Sequence, residues 1–257
     1  KRDLRNLTFV CNIVYCIQYL IRMTAIMNSQ LFMKIESRNM EDEILYRLRE
    51  AIISSKIELG AHLNETDIAK QMAVSRIPVR EALRKLEQEG LIVRSPNKGC
   101  FVITFTEQDI KEVFSLRASL ESMSFEWAIP KMTPQDIQKL RDLVNQQEQA
   151  ILRQDYDELA RLDMRFHEYI CIKANHSRLL KAWYEQHAQC RMLLNLRFRT
   201  FADYTPKTVV HDHTEILKAL EAGDFARLME LTEYISKRVV NECLKLIKTT
   251  KNDINVN

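Results

Sequence analysis

The sequence predicts a mainly α protein in two parts, a small mixed N-terminal domain and a larger all-helical one. Three observations lead there. Only four glycines and five prolines occur in 257 residues, so tight turns are few and helices long. Apolar residues recur at helical spacing along most of the chain, as in Ile44, Leu45, Leu48 and Ile52. The exception is residues 91–103, where two strand-like runs flank a turn. So few breakers exclude collagen-like, propeller and sandwich architectures. The length is enough for two separate cores.

The elements follow in order. Glu41 to Ser54 is a helix, Gly60 marks a turn, and Asn64 caps a short helix reaching Met72. Ala73 and Val74 make a tight connection. Ser75 then caps a longer helix that runs to Glu89 and closes with Gly90 just beyond its end. Leu91-Ile92-Val93 and Cys100-Phe101-Val102-Ile103 pair as a hairpin across Ser95-Pro96-Asn97-Lys98-Gly99. From Thr106 onward, helices are expected at 107–128, 134–153, 156–174, 177–199, 206–222 and 225–248. Thr205-Pro206 starts one of them, with Thr as N-cap and Pro at the first helical position. The domains are therefore placed at 40–105 and 106–250, with an N-terminal extension at 1–39 and a tail at 251–257.

The extension carries an apolar run, Phe9 to Ile17, behind Lys1, Arg2 and Arg5. Its outline is that of a signal peptide, but Asn12 and Gln18 interrupt it and no small-x-small cleavage site follows before Arg22. It is too short to cross a membrane, which needs about 20 apolar residues. We read it as non-native or translated from upstream. The six cysteines lack CxxC spacing, which fits reduced thiols in a cytoplasmic protein and excludes a disulfide framework or zinc ribbon. Cys171 and Cys190 fall among apolar helical positions and are expected to be core.

The net charge, +3, is too small to argue for a nucleic-acid partner by itself, so the placement of charge decides. A short helix, a tight turn and a longer helix form a helix-turn-helix, whose second helix enters the DNA major groove. Ser75, Arg76, Ile77 and Arg80 lie at the start of that helix, the end that reaches base edges. Arginine brackets guanine O6 and N7, while a serine hydroxyl and a helix N-terminus suit a phosphate. Thr66, and Lys98-Gly99 at the hairpin tip, complete the expected DNA surface. Residues 75–99 hold six basic groups (Arg76, Arg80, Arg84, Lys85, Arg94, Lys98) against Glu81, Glu87 and Glu89. The bland alternative is that Arg80 and Arg84 pair with nearby glutamates on a solvated helix face.

Tyr46 through Val102 resembles the winged helix-turn-helix domain of the GntR family of bacterial transcription regulators. The resemblance rests on Ile52 to Glu65, on Val74-Ser75-Arg76-Ile77-Pro78-Val79-Arg80-Glu81-Ala82-Leu83, on Glu89-Gly90-Leu91-Ile92 and on Asn97-Lys98-Gly99. Ser55 and Leu59 stand where the family usually has Gly and Pro, and Ala73 replaces a common Gly. These departures bear on loop stiffness more than on DNA contact. The helical half resembles the FCD effector domain of the FadR subfamily. It does so at Leu116-Arg117-Ala118-Ser119-Leu120-Glu121, at Asp163-Met164-Arg165-Phe166-His167, and at His213 to Leu220 followed by Gly223-Asp224.

Asp163 and His167, four apart, share one helical face and can reach a single ion. His213 is the expected third ligand, with His211 the near alternative. Three protein ligands leave positions for water or an effector carboxylate. The family's metal-binding members supply a fourth ligand, a histidine, where this chain has Ile235. The site then has three ligands plus water, or Glu233 or Tyr234 compensates, or metal binding has been lost and Asp163–His167 is a structural hydrogen bond. Arg117 is expected to fork an effector carboxylate, the alternative being an exposed arginine paired with Glu121. His62, His176 and His187 read as ordinary surface or loop residues.

The expected function is that of a cytoplasmic regulator, not an enzyme, binding double-stranded operator DNA as a homodimer. A small organic acid, assisted by a divalent transition metal (zinc, nickel or manganese), would set its DNA affinity. One helix-turn-helix offers few base contacts, so a dimer on a two-fold site is the expected geometry, with no membrane involved. Two alternatives are a metal-dependent enzyme with an accessory DNA-binding module and a metal-free acyl-CoA-type sensor. No nucleophile motif or phosphate-cradling glycine loop supports the first.

Overall fold

The computed structural model describes residues 38–96 and 98–254. The expected N-terminal extension, apart from two residues that open the first helix, lies outside them, as do Cys11, Cys16 and Asn97. The head of the chain comprises α1 (Arg38–Ile53), β1 (His62–Leu63), α2 (Glu65–Gln71), α3 (Arg76–Gln88), β2 (Ile92–Ser95) and β3 (Gly99–Val102). Six helices follow: α4 (Glu107–Ala128), α5 (Pro134–Leu152), α6 (Tyr156–Ala174), α7 (Ser177–Thr200), α8 (Thr205–Ala222) and α9 (Phe225–Ile254). A single turn of 3-10 helix, Ile129–Lys131, joins α4 to α5. This is a winged helix-turn-helix followed by a helical bundle, the fold class read from the sequence.

Three differences from the expected elements have local causes. The hairpin gains a third strand, because His62 and Leu63 pair antiparallel with Phe101 and Cys100 on the free edge of β3. The sheet order is β1-β3-β2. A two-residue strand is too short to show alternation. Second, Thr205 is the first residue of α8 and Tyr204 takes the cap position, so the threonine hydroxyl caps nothing. Third, α9 continues to Ile254, into the stretch expected as a tail.

Caps hold most helix starts where the sequence put them. Asn64 Oδ1 accepts from the backbone N–H of Thr66 at 2.8 Å. Thr106–Asp109 and Thr133–Asp136 are reciprocal capping boxes that start α4 and α5. Ser75 has the extended backbone of an N-cap, but its side chain makes no capping bond. That leaves the hydroxyl available to a partner.

The apolar core is continuous between head and bundle. Ile52, Leu83, Leu86 and Leu91 belong to the same cluster as Trp183, Leu193 and Phe198. A second cluster, with Phe125, Leu140, Phe166 and Leu220, fills the far side of the bundle. Cys171 and Cys190 are buried in the first, as expected, and the described cysteines are all free thiols. Polar contacts lock the head onto α7. Arg191 donates to both oxygens of Glu50 at 2.8 and 2.7 Å and to Asp157 at 3.1 Å. Asn195 donates to Ile53 O at 3.3 Å, and Gln189 to Gly90 O at 2.9 Å. Burial alone would lower the pKa of Arg191, but Glu50 and Asp157 outweigh it and hold the guanidinium charged.

Two departures from the family pattern carry backbone strain. Ser55 and Ala73, where glycine is usual, have φ of +58° and +53°. A side chain with Cβ costs about 1–2 kcal/mol in this left-handed region. Ala73→Gly is therefore expected to stabilise the protein by about 1 kcal/mol, net of the added freedom of the unfolded chain. Urea unfolding of wild type and variant checks this, and a loss of stability would contradict the strained assignment.

Candidate functional site

The first surface is built by α2, α3 and the wing. α3 buries Val79, Ala82, Leu83 and Leu86, which turns Arg76, Ile77, Arg80 and Arg84 outward. All seven residues expected to meet DNA are exposed: Thr66, Ser75, Arg76, Ile77, Arg80, Lys98 and Gly99. Ile77 is 71% exposed, an unusual position for isoleucine unless a partner such as a thymine methyl covers it. Thr66, Arg76 and Gly99 line one concavity with His62, Glu65 and Arg94. His62, read as an ordinary surface residue, packs on Phe101 with ring centroids 5.0 Å apart. A Cβ on Gly99 would fall 2.6 Å from His62 Nε2, so only glycine seats the wing this closely.

The charges on this face are less free than counting suggested. Lys85 pairs with Glu41 on α1 at 2.7 Å, so it leaves the DNA-facing set. Arg84 does pair with Glu81 on its own helix, at 3.7 Å. Arg80 reaches instead to α2, where its Nε donates to Glu65 Oε2 at 3.1 Å. Nothing in residues 75–99 alone could have pointed to Glu65.

The second site lies inside the bundle. Arg117 on α4 is buried, not exposed, although its Nε does donate to Glu121 at 2.6 Å. Its Nη2 donates to Asp163 Oδ2 at 2.9 Å, and its Nη1 lies 3.3 Å from Cys190 Sγ. The guanidinium is thus engaged by two carboxylates, and it also lines the cavity wall. Burial pushes the Glu121 carboxyl up, but Arg117 and His167 outweigh this and hold it down at about 2. Asp163 is likewise held below its ordinary value, burial being overcome by Arg117.

Asp163 and His167 on α6 meet His213 on α8, and their ligand atoms all lie within 4.8 Å of one another. His213 Nδ1 lies 2.8 Å from Gln147 Oε1, which can only accept, so Nδ1 carries the proton. His167 Nδ1 lies 3.0 Å from Glu121 Oε1, again an acceptor. Burial pushes the His213 pKa down to about 3, so that ring is neutral near pH 7. The two Nε2 atoms lie 3.1 Å apart, hydrogen-bonded through whichever ring carries the proton there, and Asp163 Oδ1 lies 3.4 Å from that of His213. A cation among these three atoms would take the place of the shared proton, with Gln147 behind His213 and Glu121 beside His167 as the outer groups that orient such ligands. The residues present fit a divalent transition metal.

The alternatives for a fourth ligand resolve differently. Ile235 does line the cavity. Glu233 is exposed and pairs with Lys237, and Tyr234 is 63% exposed, so neither compensates for it. His211 is also exposed, and it is His213 that clusters with Asp163 and His167. Four polar wall residues escaped the sequence reading: Arg197, Asp212, Thr232 and Ser236. Arg197 is 1% exposed, its Nε donates to Glu242 at 2.5 Å, and its Nη2 is buried with no hydrogen-bond partner. The free volume is about 40 Å³, room for a few waters or an ion.

Comparison with known proteins bears on both sites. Residues 40–102 match the bacterial regulatory proteins of the gntR family, and residues 112–236 match the FCD domain. The chain is 32% identical over 190 residues to the gluconate operon transcriptional repressor of Bacillus subtilis, covering 73% of this chain and 78% of that one. It is 26% identical over 212 residues to the HTH-type transcriptional repressor RspR of Escherichia coli, covering 81% and 91%. Among solved structures, E. coli McbR/YncC shares the fold with a TM-score of 0.67 at 21% identity, over 80% of this chain and 97% of that one. A GntR family member from Pseudomonas syringae covers 86% and 91% with a TM-score of 0.51 at 25% identity.

The ion-pair geometry makes Arg117 a structural keystone of the cavity. Arg117→Met would strand two buried carboxylates and is expected to cost about 3–5 kcal/mol. Adding Glu121→Gln and Asp163→Asn removes the uncompensated charge and should recover much of that loss. Denaturant unfolding of the single and triple variants measures both, and a single variant as stable as wild type would contradict the assignment.

Proposed function

Because the chain belongs to the gntR family of bacterial regulatory proteins and carries an FCD domain behind its reading head, we propose that it is a ligand-responsive transcription regulator of the FadR type. In this reading it binds a two-fold operator as a homodimer, and a small organic acid held with a divalent metal in the bundle sets its DNA affinity. The observation that carries the sensing part is the convergence of Asp163, His167 and His213, whose ligand atoms lie within 4.8 Å of one another. A metal ion bound there supplies a Lewis-acidic position for a carboxylate oxygen. Arg197 Nη2, buried and unpartnered on the cavity wall, is the protein donor for the same acid. Arg117 lines the same cavity and holds Asp163 and Glu121 in place.

The small cavity favours a compact acid over an acyl-CoA, whose volume far exceeds it. The relative named for the gluconate operon makes a sugar acid the first probe to try. The path from cavity to reading head is short. α7 contributes Leu194 and Arg197 to the cavity wall, and Arg191 and Asn195 to the grip on α1. A shift of α7 on binding would move the head, a population shift between DNA-competent and incompetent states. For the second copy, α4 presents an exposed apolar stripe, Leu116, Met123 and Trp127. Among the described residues no helix is long and apolar enough to cross a membrane.

Two experiments test this. A duplex selected by the wild-type protein from a random pool should bind Arg76→Ala and Arg80→Ala more weakly, each by about 1–3 kcal/mol. Lys85→Ala, whose ammonium is tied to Glu41, should stay close to wild type. Equal binding by all three variants would remove α3 from the groove. For the cavity, wild type should take up zinc, nickel or manganese, and Asp163→Ala or His167→Ala should not. Ile235→His should tighten binding and slow loss to a chelator. Metal analysis and competition titration read these outcomes, and a wild type that binds none of the three ions would overturn the metal role.

A further inference from the structure

Three arginines of the reading head converge on one carboxylate. Glu65 Oε2 accepts from Arg80 Nε at 3.1 Å and lies 3.7 Å from Arg76 Nη2, both on α3. Glu65 Oε1 lies 3.9 Å from Arg94 Nη1 on β2. The glutamate side chain is only 18% exposed, whereas those of Arg76 and Arg80 are 58% and 52% exposed. The carboxylate therefore sits beneath the guanidiniums, on the protein side of the surface. Arg94 is held from its other side by Glu87, whose Oε2 accepts from Arg94 Nε at 2.9 Å.

This arrangement treats a base and a phosphate unequally. Arg80 meets Glu65 through Nε, which points the Nη1–Nη2 end away from the carboxylate, the end that brackets guanine O6 and N7. Guanine offers partial negative charges there. A phosphate offers a full one, so a carboxylate next to the arginine repels it more. Backbone phosphates supply the affinity that is independent of sequence. A buried acid under the arginines therefore subtracts from binding to any DNA more than from binding to the right bases. It also fixes the arginine side chains before contact, so less rotamer freedom is lost in the complex.

We infer that Glu65 is a specificity-determining positioning residue: it orients Arg76 and Arg80 for base contact and suppresses their attachment to phosphates. The inference rests on the reading-head assignment above. The competing role is purely structural, because Glu65 lies in the first turn of α2, where an acidic side chain stabilises the helix end.

The experiment compares wild type, Glu65→Gln, Glu65→Asp and Arg80→Ala as full chains. The probes are the selected duplex and a scrambled duplex of equal length, each titrated over a range of salt. Glu65→Gln should bind the scrambled duplex about tenfold more tightly and lose about tenfold in discrimination. Its log-affinity against log-salt slope should steepen by about one, the equivalent of one more phosphate neutralised. Glu65→Asp keeps the charge and should keep the wild-type slope. A merely structural role lowers affinity for both duplexes together and leaves the slope unchanged, which would overturn the inference. So would a Glu65→Gln variant that binds like wild type while Arg80→Ala is weakened. If Arg80→Ala also bound like wild type, the reading head itself would be misassigned and the inference would fall with it.

Discussion

Two carboxylates, Glu121 and Asp163, are buried in the middle of the bundle because Arg117 lies between them and donates to both. Remove that guanidinium and each acid would have to protonate or drag water into the core. With it in place, Asp163 keeps a charged oxygen turned toward His213, and Glu121 fixes the ring of His167. The orientation of both imidazoles is thus a downstream consequence of one arginine on α4. The bland alternative for this residue named its i+4 partner correctly but put the pair in solvent. Asp163, 46 positions away, decides otherwise.

The reading head uses the reverse arrangement. There a single carboxylate organises several arginines, near the surface, where a full ion pair is worth little to stability. What such a pair affects at a surface is orientation and the affinity for other charges, which is why Glu65 bears on selectivity more than on folding. The two halves meet along α7, where the contacts are again charged: Arg191 with Glu50 and Asp157. A junction made of an oriented ion pair over a shared apolar core has a defined angle, unlike a flexible linker.

Legibility in the sequence followed range. Helix periodicity, the Asn64 cap and the Asp163–His167 spacing are local patterns, and the structure places each where it was expected. Arg76, Ile77 and Arg80 were legible because a buried stripe at Val79, Ala82, Leu83 and Leu86 settles which face of α3 remains. β1 was hidden because two residues carry no period, and its pairing with β3 depends on the wing folding back. Arg197 with Glu242, Glu65 under three arginines, and Lys85 on Glu41 join residues 11 to 45 positions apart. Charge counting along one segment treats such groups as free, so it overstated the basic surface at Lys85. Arg197 gave no signal at all, since an arginine among Leu194, Leu196 and Phe198 looks like a stem lying along the helix surface.

The ionic content of the bundle centre has a consequence for the order in which it fills. Glu121 and Asp163 against Arg117 leave one formal negative charge. That charge favours a cation beside Asp163, while Arg197 on the same wall offers a positive group to an acid. A divalent ion held there would reverse the sign around Asp163 and add to the pull on a carboxylate. In the proposed sensing role the electrostatics favour one order of loading, the cation before the acid. A chamber filled in that order would answer to the acid only in the presence of the ion.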